Sequence, residues 1–175
     1  MLFANILSFI STALLIYSMF INSKKKMLLV QVIQYIVSAV GNLLGGSIAA
    51  AGTNVISVIR NGYFANANGL AAMIAFSAAY ITVGVFTNTL GVIGFLPVIA
   101  CVEYTICTHF ASTAQTLRYG ALINLALWLA HDIYIKLYGF VLTDIILIIV
   151  TIVAIIKFYK KEDNEKEDNE NEDND

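Results

Sequence analysis

Between residues 70 and 111 the chain runs through forty-two positions with a single charge, Glu103. One helix crosses a bilayer in about 17–25 residues, so this run predicts two spans, joined by a turn near Thr87-Asn88-Thr89. The remaining charges cut the chain in the same way. Residues 1–23 precede Lys24-Lys25-Lys26 and suffice for one span. Residues 27–59 hold two, broken at Gly45-Gly46-Ser47, and residues 119–156 hold two more, broken at Lys136–Gly139. The sum is seven helices, at 2–22, 27–44, 47–62, 70–87, 91–111, 118–136 and 140–158. The chain is 59% hydrophobic and 13% charged, against about 45–50% and about 25% in a soluble domain. A soluble globule and a nucleic-acid binder are excluded. The expected fold class is an all-α integral membrane protein, with a transmembrane domain at 1–161 and a tail at 162–175.

The charges also suggest an orientation. Residues 1–161 hold nine Lys or Arg and three acids, net +6, whereas residues 162–175 hold Lys166 and nine acids, net −8. With the N-terminus outside and the C-terminus cytoplasmic, nine of the ten basic residues fall on the cytoplasmic side and only Lys136 falls outside. An even number of helices would destroy that segregation. The lysines follow the first apolar block rather than precede it, so this block reads as an anchor helix and not as a cleaved leader. The tail, EDNEKEDNENEDND, has no apolar surface to bury and is expected to be disordered. Cys101 and Cys107 lie six residues apart, about 9 Å along a helix, too far for a disulfide.

A shift of 92 residues superposes Lys26 on Arg118, Ile36 on Trp128 and Ser47 on Gly139. The match is one of layout, with few identities. It predicts a parallel 3+1+3 repeat in which helix four is an inverting linker. Ala71, Ala75, Ala78 and Thr82 form a small-residue stripe on that helix, expected to pack closely against neighbours.

Polar groups inside a bilayer are costly and so become site candidates. Asn124, Trp128 and His131 share one face of helix six, with Asp132 beside them. Asp132 and Lys136, spaced i, i+4, are expected to form an ion pair near the outer end. Helix seven carries Asp144 early and Thr151 two turns later. Helix five carries Pro97, expected to kink it, and Glu103 near mid-span. Glu103 and Asp144 are read as proton or ion-pair candidates, together with Asp132, Arg60 and Arg118. Arg60 is placed at the inner end of helix three, and His109 near the inner face is read as structural. Helix two shows a stripe of Gln31, Gln34, Ser38, Gly41 and Gly45, and helix three shows Asn54, Ser57 and Asn61. Such stripes either line a cleft or join helices by hydrogen bonds. There is no nucleophile–base pairing, phosphate loop or metal-ligand spacing, so neither catalysis nor a cofactor is expected.

The second half carries a more particular pattern. LPVI (96–99) is followed by Arg118, by Trp128 and His131 ten and thirteen residues further on, by a glycine turn, by Asp144, and by IIKFY at 155–159. The first half adds NVISVIRN at 54–61. Over roughly residues 24–160 the chain resembles the bacterial inner-membrane YgjV family. It departs in having Asp132 where that family often has an amide, and in a shorter outer turn. The family is distantly similar to the SWEET and PQ-loop transporters, although the proline-glutamine dipeptide and a first-half counterpart of Pro97 are missing here. The resemblance implies a multi-pass protein of the bacterial plasma (inner) membrane with 3+1+3 helices that moves a small solute.

Two functions follow as expectations. One is a small-solute carrier or facilitator, with Asn54, Asn124, Trp128 and His131 lining the path. The other is a non-transporting adaptor whose acidic tail recruits a cytosolic partner. The expected partners are the lipid bilayer, a small polar solute of unknown identity and a second copy of the chain in a homodimer.

Overall fold

A computed structural model describes residues 2–88, 90–136 and 138–172. Its seven α-helices are α1 (Leu2–Met19), α2 (Lys24–Leu44), α3 (Ile48–Asn66), α4 (Leu70–Thr87), α5 (Leu96–Phe110), α6 (Ala114–Tyr134) and α7 (Tyr138–Glu172), with a 3-10 turn at Ile93–Phe95. Among the described residues there is no strand. Four stretches are long and apolar enough to cross a membrane: Lys24–Leu44, Leu70–Thr87, Ile93–Phe110 and Phe140–Lys160. Helix α1 holds a shorter apolar stretch, Phe3–Met19. Helices α3 and α6, at 19 and 21 residues, have the length but carry more polar side chains.

The helix ends follow local chemistry. Ser23 and Thr113 cap α2 and α6 by accepting from the backbone N–H of Lys26 and Thr116. Gly46 adopts the left-handed φ of 84° that lets the chain turn sharply between α2 and α3. Of the boundaries that differ from the sequence expectation, three change the reading of named residues. Helix α3 continues to Asn66, so Arg60 lies six residues, about 9 Å, inside its end rather than at it. Helix α5 begins at Leu96, which puts Pro97 in the first turn. There its missing N–H has no helical partner to lose, so the proline starts the α-helix rather than interrupting it. Helix α7 runs on to Glu172, so the backbone of 162–172 is helical where composition predicts disorder. A helix already formed extends without a new nucleation cost.

The helices gather into two groups. Helix α2 packs against both α1 and α3, and α6 packs against both α5 and α7. Helix α4 lies mainly on α5 and less on α3. The groups meet where α1 touches α7, α3 touches α5 and α2 touches α6. The small-residue stripe of α4 does not serve this packing. Ala71, Ala75, Ala78 and Thr82 are exposed, and the buried face holds Tyr80 and Gly84, the latter against Val98 of α5. A Cβ on Gly84 would overlap the Val98 side chain, so the helix crossing itself requires glycine.

Polarity is distributed in reverse of a soluble protein. Phe86 and Val92 are 85% and 86% exposed, while Arg60 and Arg118 are 1% and 0% exposed. Gln31, Asn61, Thr105, Thr108 and Thr151 are also fully buried. An apolar surface around a polar interior is what a lipid-embedded bundle requires.

Candidate functional site

The polar interior is built where α2, α3, α4 and α5 meet. On α3, Ser57, Arg60 and Asn61 are buried together at i, i+3 and i+4. The Arg60 guanidinium is enclosed by three tyrosine rings, with Cζ at 5.0 Å from the centre of Tyr104, 5.6 Å from Tyr80 and 5.9 Å from Tyr35. Its Nε donates to Asn61 Oδ1 at 2.9 Å, and Nη1 donates to Thr105 Oγ1 at a long 3.4 Å. Nη2 is buried without a hydrogen-bond partner. A second shell holds the cage: Asn61 Nδ2 and the Tyr104 hydroxyl both donate to Gln31 Oε1 at 2.9 Å. The Tyr80 and Ser57 hydroxyls share a bond of 2.6 Å. Among the described residues no carboxylate reaches ion-pair distance of Arg60.

Above this cage, at the end of the bundle away from Lys24-Lys25-Lys26, lies a cavity of about 250 Å³ between α3, α4, α5 and α6. Ser47, Thr53, Asn88, Trp128 and His131 contribute its polar and aromatic lining, with Tyr80 and Cys101 deepest along their helices. The order along each helix leads down from cavity to cage. On α3 the sequence is Thr53, Ser57, Arg60. On α5 it is Pro97, Cys101, Thr105, whose hydroxyl donates to the Cys101 carbonyl at 2.7 Å. Tyr80 belongs to both, lining the cavity and facing the guanidinium.

The structure separates the residues that the sequence grouped. Trp128 and His131 meet in the cavity wall, their rings 5.9 Å apart. Asn54 is half-buried and outside that wall, its place taken by Thr53. Asn124 donates to the Ala100 carbonyl at 2.8 Å and faces a crevice of about 40 Å³ beside Gln31, Tyr35 and Tyr104. Glu103 lies in an apolar groove of about 690 Å³ on the outer flank of α4 and α5, with Oε2 unpartnered. Asp132 accepts from or shares a proton with His131 Nδ1 at 2.8 Å. The expected Asp132–Lys136 ion pair does not form, because α6 ends before Lys136, which takes a left-handed φ of 61°. Asp144 is buried on α7 with Oδ2 unpartnered, and Thr151 on the same helix bonds back to the Leu147 carbonyl. Tyr35, Tyr80 and Tyr104 were not singled out in the sequence. A signal existed in α4, where Tyr80 is the one hydroxyl-bearing aromatic ring in an otherwise apolar and small helix.

Arg118 sits at the other end. Its Nε donates to the Met19 carbonyl at 2.8 Å, Nη2 to the Ile21 carbonyl at 2.9 Å and Nη1 to Gln115 Oε1 at 2.7 Å. Its Cζ lies 4.0 Å from the centre of the Phe158 ring. The Met19 carbonyl is the last of α1 and that of Ile21 lies just beyond it, so the cation also meets the negative pole of that helix. Lys24 Nζ likewise caps the Ala111 carbonyl after α5, at 2.6 Å.

The chain matches the family model Imp-YgjV, described as bacterial inner membrane protein, over residues 2–162. It belongs to that family. No curated protein and no solved structure matches it. For this Imp-YgjV member, location in the bacterial inner membrane agrees with four membrane-length apolar stretches and an apolar surface. A central arginine costs about 2.5–3.5 kcal/mol at the middle of a membrane helix. Desolvated cation–π contacts return up to about 2 kcal/mol each. The cage therefore tolerates the charge without an ion pair, Glu103 being within electrostatic but not bonding range, and Nη2 makes no hydrogen bond.

Proposed function

We propose that this Imp-YgjV protein is a multi-pass carrier or facilitator for a small solute, with no catalytic step. In this reading all seven helices cross the membrane, with the N-terminus outside and the C-terminus cytoplasmic. The exposed Lys25, Lys26, Lys157 and Lys160, with half-buried Lys24 beside them, support that orientation through the positive-inside rule. The α1–α3 and α5–α7 groups rock against each other around α4, a SWEET-like arrangement supported by the way the helices group. The observation that carries the reading is the cavity walled by Trp128 and His131, which stops one to two helical turns above a buried cationic cage. A solute entering there needs a modest shift of Tyr80 and Ser57 to go deeper.

Purified protein in liposomes tests the reading against a panel of small metabolites. Saturable uptake of at least one, reduced roughly tenfold or more in His131→Ala, supports it. No movement of any member, together with an unchanged cellular phenotype in His131→Ala, Asn54→Ala and Glu103→Gln, defeats it. The second reading is an adaptor recruiting a cytosolic partner through its acidic segment, and the helical extension of α7 to Glu172 favours it. Deleting 162–175 separates the two: a carrier keeps working and an adaptor does not.

A further inference from the structure

We infer that the cage beneath the cavity is a binding site for a small oxyanion, a carboxylate or phosphate group, with Arg60 as its cation. As the identity of the transported solute, this rests on the carrier reading; as a binding site, it stands without it.

Three observations converge. First, Arg60 is fully buried, yet its partners are neutral: Asn61, Thr105, the Tyr35 hydroxyl and three tyrosine rings. A buried cation is ordinarily matched by a carboxylate or by saturating carbonyls, and Arg60 has neither. Second, the unsatisfied capacity lies at one edge of the guanidinium. Nη2 is unpartnered, and the adjoining Nη1 holds a long 3.4 Å bond to Thr105. That Nη1–Nη2 edge is the one an oxyanion grips with two parallel hydrogen bonds. Third, a cavity ends just above the site, separated from it by Tyr80, which lines the cavity on one side and faces the guanidinium on the other. At about 250 Å³ it falls below the roughly 300–1,000 Å³ of pockets for drug-sized molecules, which limits the ligand to a few carbons. Trp128 and Tyr80 offer such a ligand apolar contact.

The acids of the body do not fill this role. Glu103 lies in the outer groove, near enough to feel the Arg60 charge but beyond ion-pair distance, and neither Asp132 nor Asp144 lines the cavity. Asp132 is already engaged by His131.

Trp128 is the single tryptophan of the chain and stands in the cavity wall, so its emission reports entry. Full-length protein in nanodiscs is titrated with acetate, lactate, phosphate and sulfate, with glucose and ethanolamine as uncharged and cationic comparisons, at constant ionic strength in sodium chloride. The expected result is a saturable Trp128 response to at least one oxyanion, weakened tenfold or more in Arg60→Lys and abolished in Arg60→Gln, with Lys25→Ala, at the opposite end of the bundle, within twofold of the parent. Alkylation of Cys101 in the unaltered protein, followed by site-resolved mass spectrometry, locates the ligand even where an Arg60 variant does not fold. The bound oxyanion should slow that alkylation at least fivefold, with the midpoint of the fluorescence titration. The inference is overturned if no oxyanion gives a saturable response, if glucose or ethanolamine does so equally, if Arg60→Lys binds as the parent does, or if Cys101 is not protected. Liposome flux separates the two readings. An oxyanion that binds but does not cross leaves the site and removes the carrier. A neutral solute that crosses while no oxyanion binds leaves the carrier and removes the site.

Discussion

The two buried arginines solve the same problem in different ways. Arg118 is saturated by two main-chain carbonyls, a glutamine oxygen and an aromatic face, and it fastens the end of α1 to α6 and α7. Arg60, equally buried, is surrounded by rings and neutral side chains and keeps one nitrogen free. The surroundings differ to match. Around Arg118, Leu117 and Ala114 are buried and the Phe158 ring lies against the guanidinium. Around Arg60 there is a cavity on one side and a crevice on the other. Burial alone does not say what a charge is for. How fully it is satisfied does.

The contrast is open to attack by substitution. Arg118→Ala strands two helix-terminal carbonyls and Gln115 in the interior. It should lower the unfolding free energy by about 3–5 kcal/mol, read as a large fall in thermal midpoint or as loss of folded protein on extraction. Gly120 tests the Arg118 end from another side. Its hydrogen faces the Cys107 side chain with no room for a Cβ, so Gly120→Ala should cost about 1–3 kcal/mol, and Cys107→Ala in the same chain should restore part of it. Arg60→Gln should change the thermal midpoint by the equivalent of about 1 kcal/mol or less, since the lost ring contacts are offset by the removed burial of charge. An effect as large as that of Arg118→Ala would make Arg60 a second fastener. The smallest effect belongs to Lys136→Ala, within about 0.5 kcal/mol of the parent, because Lys136 has left the helix and does not pair with Asp132. A clear destabilisation, removed in an Asp132→Asn background, would restore the ion pair read from the spacing.

The sequence made the seven helices legible because bilayer thickness sets a length scale that apolar blocks must match. It misplaced the end of α3 because a charge served as the boundary, whereas a helix inside protein carries an arginine through whenever neighbouring helices accept it. Apart from Asn61 and Gln115 on their own helices, the partners of Arg60 come from α2, α4 and α5, and the carbonyls that hold Arg118 lie 97 and 99 residues away, so no local pattern announces them. Trp128 and His131 were legible as one helical face, and the structure keeps them on one wall. Asn54 fell outside that wall because one helical residue is a rotation of 100°, enough to give the place to Thr53. The stripe on α4 was a sound pattern on the wrong face: the crossing uses Tyr80 and Gly84.

One paired measurement decides between the two roles: thermal denaturation of the parent, Arg60→Gln and Arg118→Gln in nanodiscs, each with and without the oxyanion panel. The account predicts a parent stabilised by an oxyanion, an Arg60→Gln protein that melts close to the parent but gains nothing from the ligand, and an Arg118→Gln protein that melts far lower. Equal losses in the two variants, with no oxyanion stabilising the parent, would contradict it.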